Sequence, residues 1–219
     1  MRKRERGRIA GCCPDQPLGS ERAQLMTKAK RWLPGPDSNE VRAVWKAMEA
    51  EAPLTAAMFK LRLLTAQRGA EVLAMRWDQI SDGWWTIPAK VAKNGLAHRV
   101  PLAPQAQLLL DTIRPLSVDT GWVFPGAGGV QHRVAVHKAH NRIRDRSGVS
   151  FVPHDLRRTA ASHMTGMGIS RLVVSKLLNH VESGVTAVYD RHSYDQEKRA
   201  ALEAWGAHLE RVIGAYSTT

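Results

Sequence analysis

His154 and Arg157, in Pro153-His154-Asp155-Leu156-Arg157-Arg158-Thr159, stand three residues apart, the interval that brings two side chains to one face of a helix. Pro153 suits the position just ahead of that helix, and a helix amino terminus favours an anion. A histidine that exchanges protons beside an arginine that holds two oxygens at once is the beginning of phosphodiester chemistry. Such chemistry also needs a nucleophile, further cations for the non-bridging oxygens and a proton donor for the departing alkoxide. Three tyrosines, Tyr189, Tyr194 and Tyr216, are available as nucleophiles, and Lys90 and Lys93 stand near a polar turn as donors. Taken singly, each has an ordinary alternative. An arginine is commonly a surface ion-pair partner, a tyrosine a core or capping residue, and a turn lysine a solvated loop residue.

The whole-chain balance favours a polyanionic partner. Lysine and arginine number 32 against 20 aspartates and glutamates in 219 residues, a formal charge of +12. The hydrophobic fraction of 43% is enough for a core. Cys12 and Cys13 are adjacent and badly placed to bridge each other, which argues against a disulfide framework and for a reducing cytoplasm. No apolar run reaches the length of a membrane span, and the basic stretch Met1–Arg8 leads into Gly-Cys-Cys-Pro-Asp rather than a signal core. His132, His137 and His140 form a loose group, but without a carboxylate pair or cysteine the spacing is weak evidence for a metal.

The elements that must position these residues read as mostly helical with one small antiparallel sheet, an α+β fold. Residues 1–30 carry Gly, Pro and scattered charge and read as a basic, flexible leader or linker, with a domain over 31–219. Asp37 followed by Glu40 suggests a capping box ahead of Val41, Val44, Trp45 and Met48 at helical spacing. A second helix should bury Leu54, Met58, Leu61 and Leu64. Trp84-Trp85-Thr86-Ile87 and Arg99-Val100-Pro101-Leu102 then read as strands, with Asp82-Gly83 as one turn and Lys93-Asn94-Gly95 as another. Alternation puts one of Trp84 and Trp85 in the core and leaves the other available for stacking on bases. Helical patterns follow at roughly 104–114, 132–146, 155–167, 171–179 and 184–190. Leu202, Trp205, Leu209, Val212 and Tyr216 form a narrow apolar stripe on a final helix within 195–219, suited to packing in cis or on a neighbouring protomer.

Order and spacing together resemble the tyrosine recombinase, or phage integrase, family. His154-x-x-Arg157 is followed by Leu178-Asn179-His180 and then by Tyr189 in Thr186-Ala187-Val188-Tyr189-Asp190-Arg191-His192, as in that family. Upstream, Leu64-Thr65-Ala66-Gln67-Arg68-Gly69-Ala70-Glu71 is similar to its first arginine box, and Lys93, eight residues before Pro101, to its hairpin lysine. The resemblance runs from about Arg31 to the carboxyl terminus. It departs at Ala66-Gln67, where the family has Gly-Leu, and at Asn179, where it commonly has glycine. Asparagine is the next best residue for a left-handed helix end, so a tight turn before His180 is expected to survive.

Carried over residue by residue, the resemblance implies a catalytic domain in which Arg68 and Arg157 clamp a DNA phosphate and His180 hydrogen-bonds it. Tyr189 attacks to form a 3′-phosphotyrosyl link, His154 takes the phenolic proton, Lys93 protonates the leaving 5′-oxygen and Glu71 braces the site. It implies double-stranded DNA as partner, four protomers on two duplexes, and accessory proteins that bend DNA or set direction. No cofactor or metal is implied, because the phosphotyrosine conserves the bond energy. The family normally adds an amino-terminal domain that clamps the far face of the duplex, for which this chain is too short. Two other readings therefore stand beside recombination: a DNA-binding remnant that does not recombine alone, and relaxation of supercoils in the manner of a type IB topoisomerase.

Overall fold

Helix α1 (Ser38–Glu49) begins where the Asp37 carboxylate accepts the Asn39 N–H at 3.0 Å, which satisfies one of the four amide groups a helix start leaves open. The protein is represented by a computed structural model that describes residues 37–180 and 192–214, all inside the packing unit Arg31–Thr219. The leader 1–30, the two cysteines, Tyr189, Tyr216 and the helix expected over 184–190 lie outside the described residues.

Proline opens α2 (Pro53–Thr65), and most of this helix is buried on all sides, as suits an element surrounded by others. It packs against α1, the short α3 (Gly69–Leu73), α4 (Pro104–Ile113), α6 (Asp155–Gly166) and α8 (Asp195–Ile213). Phe59, Leu61 and Leu63 on α2 join Leu156 and Met164 of α6 and Leu202 and Trp205 of α8 in one apolar cluster. The Trp205 indole donates to the Leu63 carbonyl at 2.9 Å. Leu202, Trp205, Leu209 and Val212 are all buried, so the stripe of α8 lies on α1, α2, α4, α6 and α7 (Arg171–Leu177) of its own unit.

Three strands, β1 (Ile80–Ser81), β2 (Trp84–Ile87) and β3 (His98–Pro101), pair antiparallel in that order. Asp82 and Gly83 both have positive φ, 51° and 73°, the geometry a two-residue turn needs to match strand twist. In the β2–β3 register Trp85 faces Val100 and Ile87 faces His98, so Trp85, Val100, Ile87 and His98 share the inward face. Trp85 is 0% exposed. Trp84 is covered by Arg99 at 4.4 Å and Arg199 at 4.7 Å, which ties the sheet to the start of α8.

One boundary differs from expectation. The helix anticipated from residue 132 begins five residues later, as α5 (His137–Ser147), because His132 pairs with Pro125 and Arg133 donates to the Phe124 carbonyl at 2.8 Å, holding the chain extended. His132, His137 and His140 meet different surroundings. His132 stacks edge-on against Trp122, His137 is exposed, and His140 is buried against Phe151 with its Nε2 at 2.8 Å from the Phe151 carbonyl. Arg142 and Arg146 of α5 close on the buried Glu51 between α1 and α2, fixing that helix. Among the described residues no helix is long and apolar enough to cross a membrane.

Candidate active site

The carboxyl-terminal end of α7 organises the site. A helix leaves its last carbonyls without helical partners. Here Asn179 adopts the left-handed conformation at φ 48°, its N–H donates to Lys176 O and the His180 N–H donates to Ser175 O, both at 3.1 Å. This double closure ends the helix and turns His180 away from its axis. It leaves three consecutive carbonyls, those of Leu177, Leu178 and Asn179, to be met from outside the helix.

Each is met by a side chain from a different part of the sequence. Leu177 O accepts from Gln67 Nε2 at 3.0 Å and lies 2.9 Å from His98 Nε2. Leu178 O accepts from Arg157 Nη2 at 2.5 Å. Asn179 O accepts from Asn94 Nδ2 at 3.1 Å. One helix end therefore gathers the segment before Arg68, the strand and turn flanking Lys93, the helix carrying Arg157 and the turn carrying His180.

Arg157 is 4% exposed, and its second donor arm reaches Ala66 O at 2.8 Å. Ala66 presents that carbonyl because it too is left-handed, at φ 56°, in the position where glycine would be expected. Arg157 Nη2 also stands 3.4 Å from His180 Nε2. Burial, and next the nearby charge of Arg68, push the Arg157 guanidinium down to about 10, still fully protonated at neutral pH.

Glu71, 2% exposed, faces two of the nominated residues. Its carboxylate accepts from the Arg68 guanidinium at 3.0 Å and the Arg68 N–H at 3.2 Å, and also from the Lys93 N–H at 3.4 Å. The arginine is held by side chain and backbone, while the Lys93 side chain is exposed. Lys90, three residues earlier, lines a surface cleft with Arg76 and Trp122, so the contact to the Arg68 box belongs to Lys93.

His154 stands at the cap position of α6, where Asp155 accepts from the Val152 N–H at 2.9 Å and from Arg158 at 3.3 Å. Partial burial, then the charges of Arg157 and Arg158, lower the His154 pKa below the usual histidine value. Partial burial, then Arg157 and Arg68, do the same at His180. Both rings are neutral at neutral pH and keep a lone pair for a proton or a hydrogen bond. Behind them Arg62, buried, donates to Pro153 O at 2.7 Å and packs so closely on Gly69 that an added Cβ would stand 2.7 Å from its guanidinium.

Of the residues nominated from sequence, Arg68, Glu71, Lys93, Arg157 and His180 are joined by these contacts, His154 lies within the electrostatic reach of Arg157, and Tyr189 lies outside the described residues. Tyr194, a rival nucleophile, lies beneath Lys176, 5.1 Å from the ammonium, at the start of α8. Gln67, Asn94 and His98 are not among the residues that the sequence nominates. Their signals were slight: a histidine on the inward face of β3, an amide in the turn beside Lys93, and a polar residue where the family has leucine.

The sequence model of the phage integrase family matches residues 37–196. Prophage integrase IntZ of Escherichia coli strain K12 is 30% identical over 87% of this chain, which spans 50% of that relative's length. The lambda integrase catalytic core superposes with a TM-score of 0.51 at 21% identity, covering 67% of this chain and 91% of that core. A lambda integrase tetramer bound to a Holliday junction superposes at 0.52, with 23% identity, 73% of this chain and 48% of the other covered. With a match that spans most of the chain, and with the fold of a known integrase core beneath it, this protein belongs to the phage integrase family.

Proposed function

We propose that this chain is the catalytic domain of a site-specific DNA recombinase that breaks and rejoins strands through a 3′-phosphotyrosyl intermediate on Tyr189. The observation that carries the reading is the convergence of Arg68, Arg157 and His180 beside the Lys93 turn, all four gathered at a single helix end. Two arginines and a neutral imidazole suit a phosphate whose oxygens gain charge as a fifth ligand adds. Arginine serves better than lysine, since its planar fork holds two oxygens and stays charged even when buried.

In this mechanism Arg68 and Arg157 hold the non-bridging oxygens and His180 donates a hydrogen bond to one of them. The Tyr189 oxygen attacks phosphorus as His154 receives the phenolic proton, the phosphorus–5′-oxygen bond breaks, and Lys93 supplies the proton that the 5′-oxygen takes up. A phenol ionises only near pH ~10, so a neutral base is needed at physiological pH, and the depressed pKa of His154 keeps it in that form. A 5′-hydroxyl from another strand then reverses the steps, so the exchange needs no external energy source. The lambda integrase tetramer on a Holliday junction supports an assembly of four protomers on two duplexes, and the +12 charge supports salt-sensitive DNA binding.

The test is incubation with nicked suicide duplexes that release the 5′ fragment, followed by mapping of the linked peptide. A covalent adduct on Tyr189, absent in Tyr189→Phe, is expected. An adduct that persists in Tyr189→Phe, or that maps to Tyr194, overturns the assignment. Salt-sensitive binding without any adduct would favour a DNA-binding remnant, and relaxation of plasmid without joined products a topoisomerase.

A further inference from the structure

We infer that the paired amides of Asn94 and Asn179 are the positioning device that sets Lys93 against the scissile phosphate, an inference that rests on the reading of Lys93 as proton donor. Lys93 lies in the connection between β2 and β3, residues 88–97, and its side chain is exposed. Its own attachment to the site is the 3.4 Å contact from its N–H to Glu71, at the long limit of a hydrogen bond. The next residue is held far more firmly. Asn94 Nδ2 donates to Asn179 Oδ1 at 3.0 Å and to Asn179 O at 3.1 Å, and Asn179 Nδ2 donates back to Asn94 Oδ1 at 3.2 Å.

Asn94 Oδ1 also accepts the Leu96 N–H at 3.1 Å, which closes the turn over Gly95 at φ 72°. Both amide hydrogens and both lone pairs of Asn94 are thus used. The clasp joins the neighbour of Lys93 to the neighbour of His180, so the donor for the leaving group and a phosphate ligand share one rigid link. A glycine at 179 would adopt φ 48° at lower cost but would have no amide to offer. Asparagine in the left-handed position is therefore put to use as half of the clasp. Misplacing a reacting group by about 1 Å costs on the order of 100-fold in rate, which is the scale the clasp controls.

The experiment compares cleavage of two nicked suicide duplexes, one with an ordinary phosphodiester at the mapped cleavage position and one with sulfur as the 5′-bridging atom. A thiol ionises near pH ~8.5, so the thiolate leaves without a proton and the donor becomes dispensable. Asn94→Ala is expected to slow cleavage of the oxygen substrate by about 10- to 100-fold and to match the unsubstituted protein on the sulfur substrate. Lys93→Ala should show the same recovery with a larger initial loss. Asn179→Gly, which relaxes the turn while deleting the amide, should lose less than Asn94→Ala, and the double variant no more than Asn94→Ala. An Asn94→Ala deficit that persists with sulfur while that of Lys93→Ala disappears overturns the positioning role and leaves Lys93 as donor. If sulfur rescues neither variant, Lys93 is not the donor and the inference falls with that reading.

Discussion

Arg157 and Lys93, two cations of the same site, are held in opposite ways. Arg157 is almost wholly buried, with its donor arms on Ala66 O, on Leu178 O and towards His180. Lys93 is exposed and anchored through its backbone and its neighbour Asn94. The difference follows the work proposed for each. A group that stabilises developing charge should be fixed beforehand, so that nothing reorganises during reaction. A group that delivers a proton has to meet an oxygen that moves, and keeps its freedom until substrate arrives.

Replacing Arg157 should produce the largest effect, because it strikes site and fold together. Arg157→Ala leaves two buried carbonyls unpaired, at ~1 to 3 kcal/mol each, so urea unfolding should show several kcal/mol of destabilisation along with loss of the covalent adduct. A variant that melts like the original would mean that those carbonyls find other donors, and that Arg157 is less integral than its burial suggests.

Lys93→Ala should divide the comparison cleanly. Loss of a general acid costs about 100- to 10,000-fold in the rate of cleavage, whereas removal of an exposed side chain changes stability by only about 0.5 kcal/mol. A comparable fall in stability would show that the hairpin turn is as structural as α6.

Acid titration tests a third member of the site. Burial, the dominant cause, lowers the His98 pKa to about 4, with Lys198 and Arg157 adding to it and the Leu177 hydrogen bond opposing it. The folded state therefore disfavours the charged ring. Its neutral form costs nothing extra above the unfolded value near 6.5, and folding stability declines as pH falls below that value and on through about 4. The total decline attributable to this ring is of order 3 kcal/mol. Stability measured by urea denaturation at a series of pH values should lose most of that slope in His98→Gln, which retains a donor but does not titrate. An unchanged slope would assign the pH dependence to other groups.

The smallest expected effect is a gain. Ala66 sits at φ 56°, which costs a side-chain-bearing residue about 1 to 2 kcal/mol relative to the right-handed region. Ala66→Gly should raise the stability by up to about 1 kcal/mol after the added chain entropy of glycine is subtracted, with adduct formation intact. A loss of stability instead would indicate that the Ala66 methyl group, fully buried in the core, contributes more than its backbone strain costs.

Local signals served well where one element answers to its own residues. The Asp82-Gly83 turn, the alternation that buries Trp85 and the left-handed Asn179 all follow from short stretches of chain. The helix expected from 132 starts only at His137, because the Pro125–His132 pairing that holds the chain extended there is a contact between loop segments, with no periodic signature. Gln67 illustrates the same limit. It looked like a bare departure from the family pattern, and in the fold its amide spans Thr65 O at 2.8 Å and Leu177 O at 3.0 Å, a partner 110 residues away.

The sequence by itself nominated residues for the chemistry, since side-chain type and order along the chain carry the family resemblance that points to Arg68, Lys93, His154, Arg157, His180 and Tyr189. It also determined the mostly helical fold with its small sheet, because burial periodicity and turn chemistry are local properties. Only the tertiary structure decided how most of those residues meet. Three carbonyls left over at the end of α7, two of them buried, need hydrogen-bond partners, and their donors come from positions 67, 94, 98 and 157, far apart in the chain. That requirement belongs to the folded helix end and is written in no single segment.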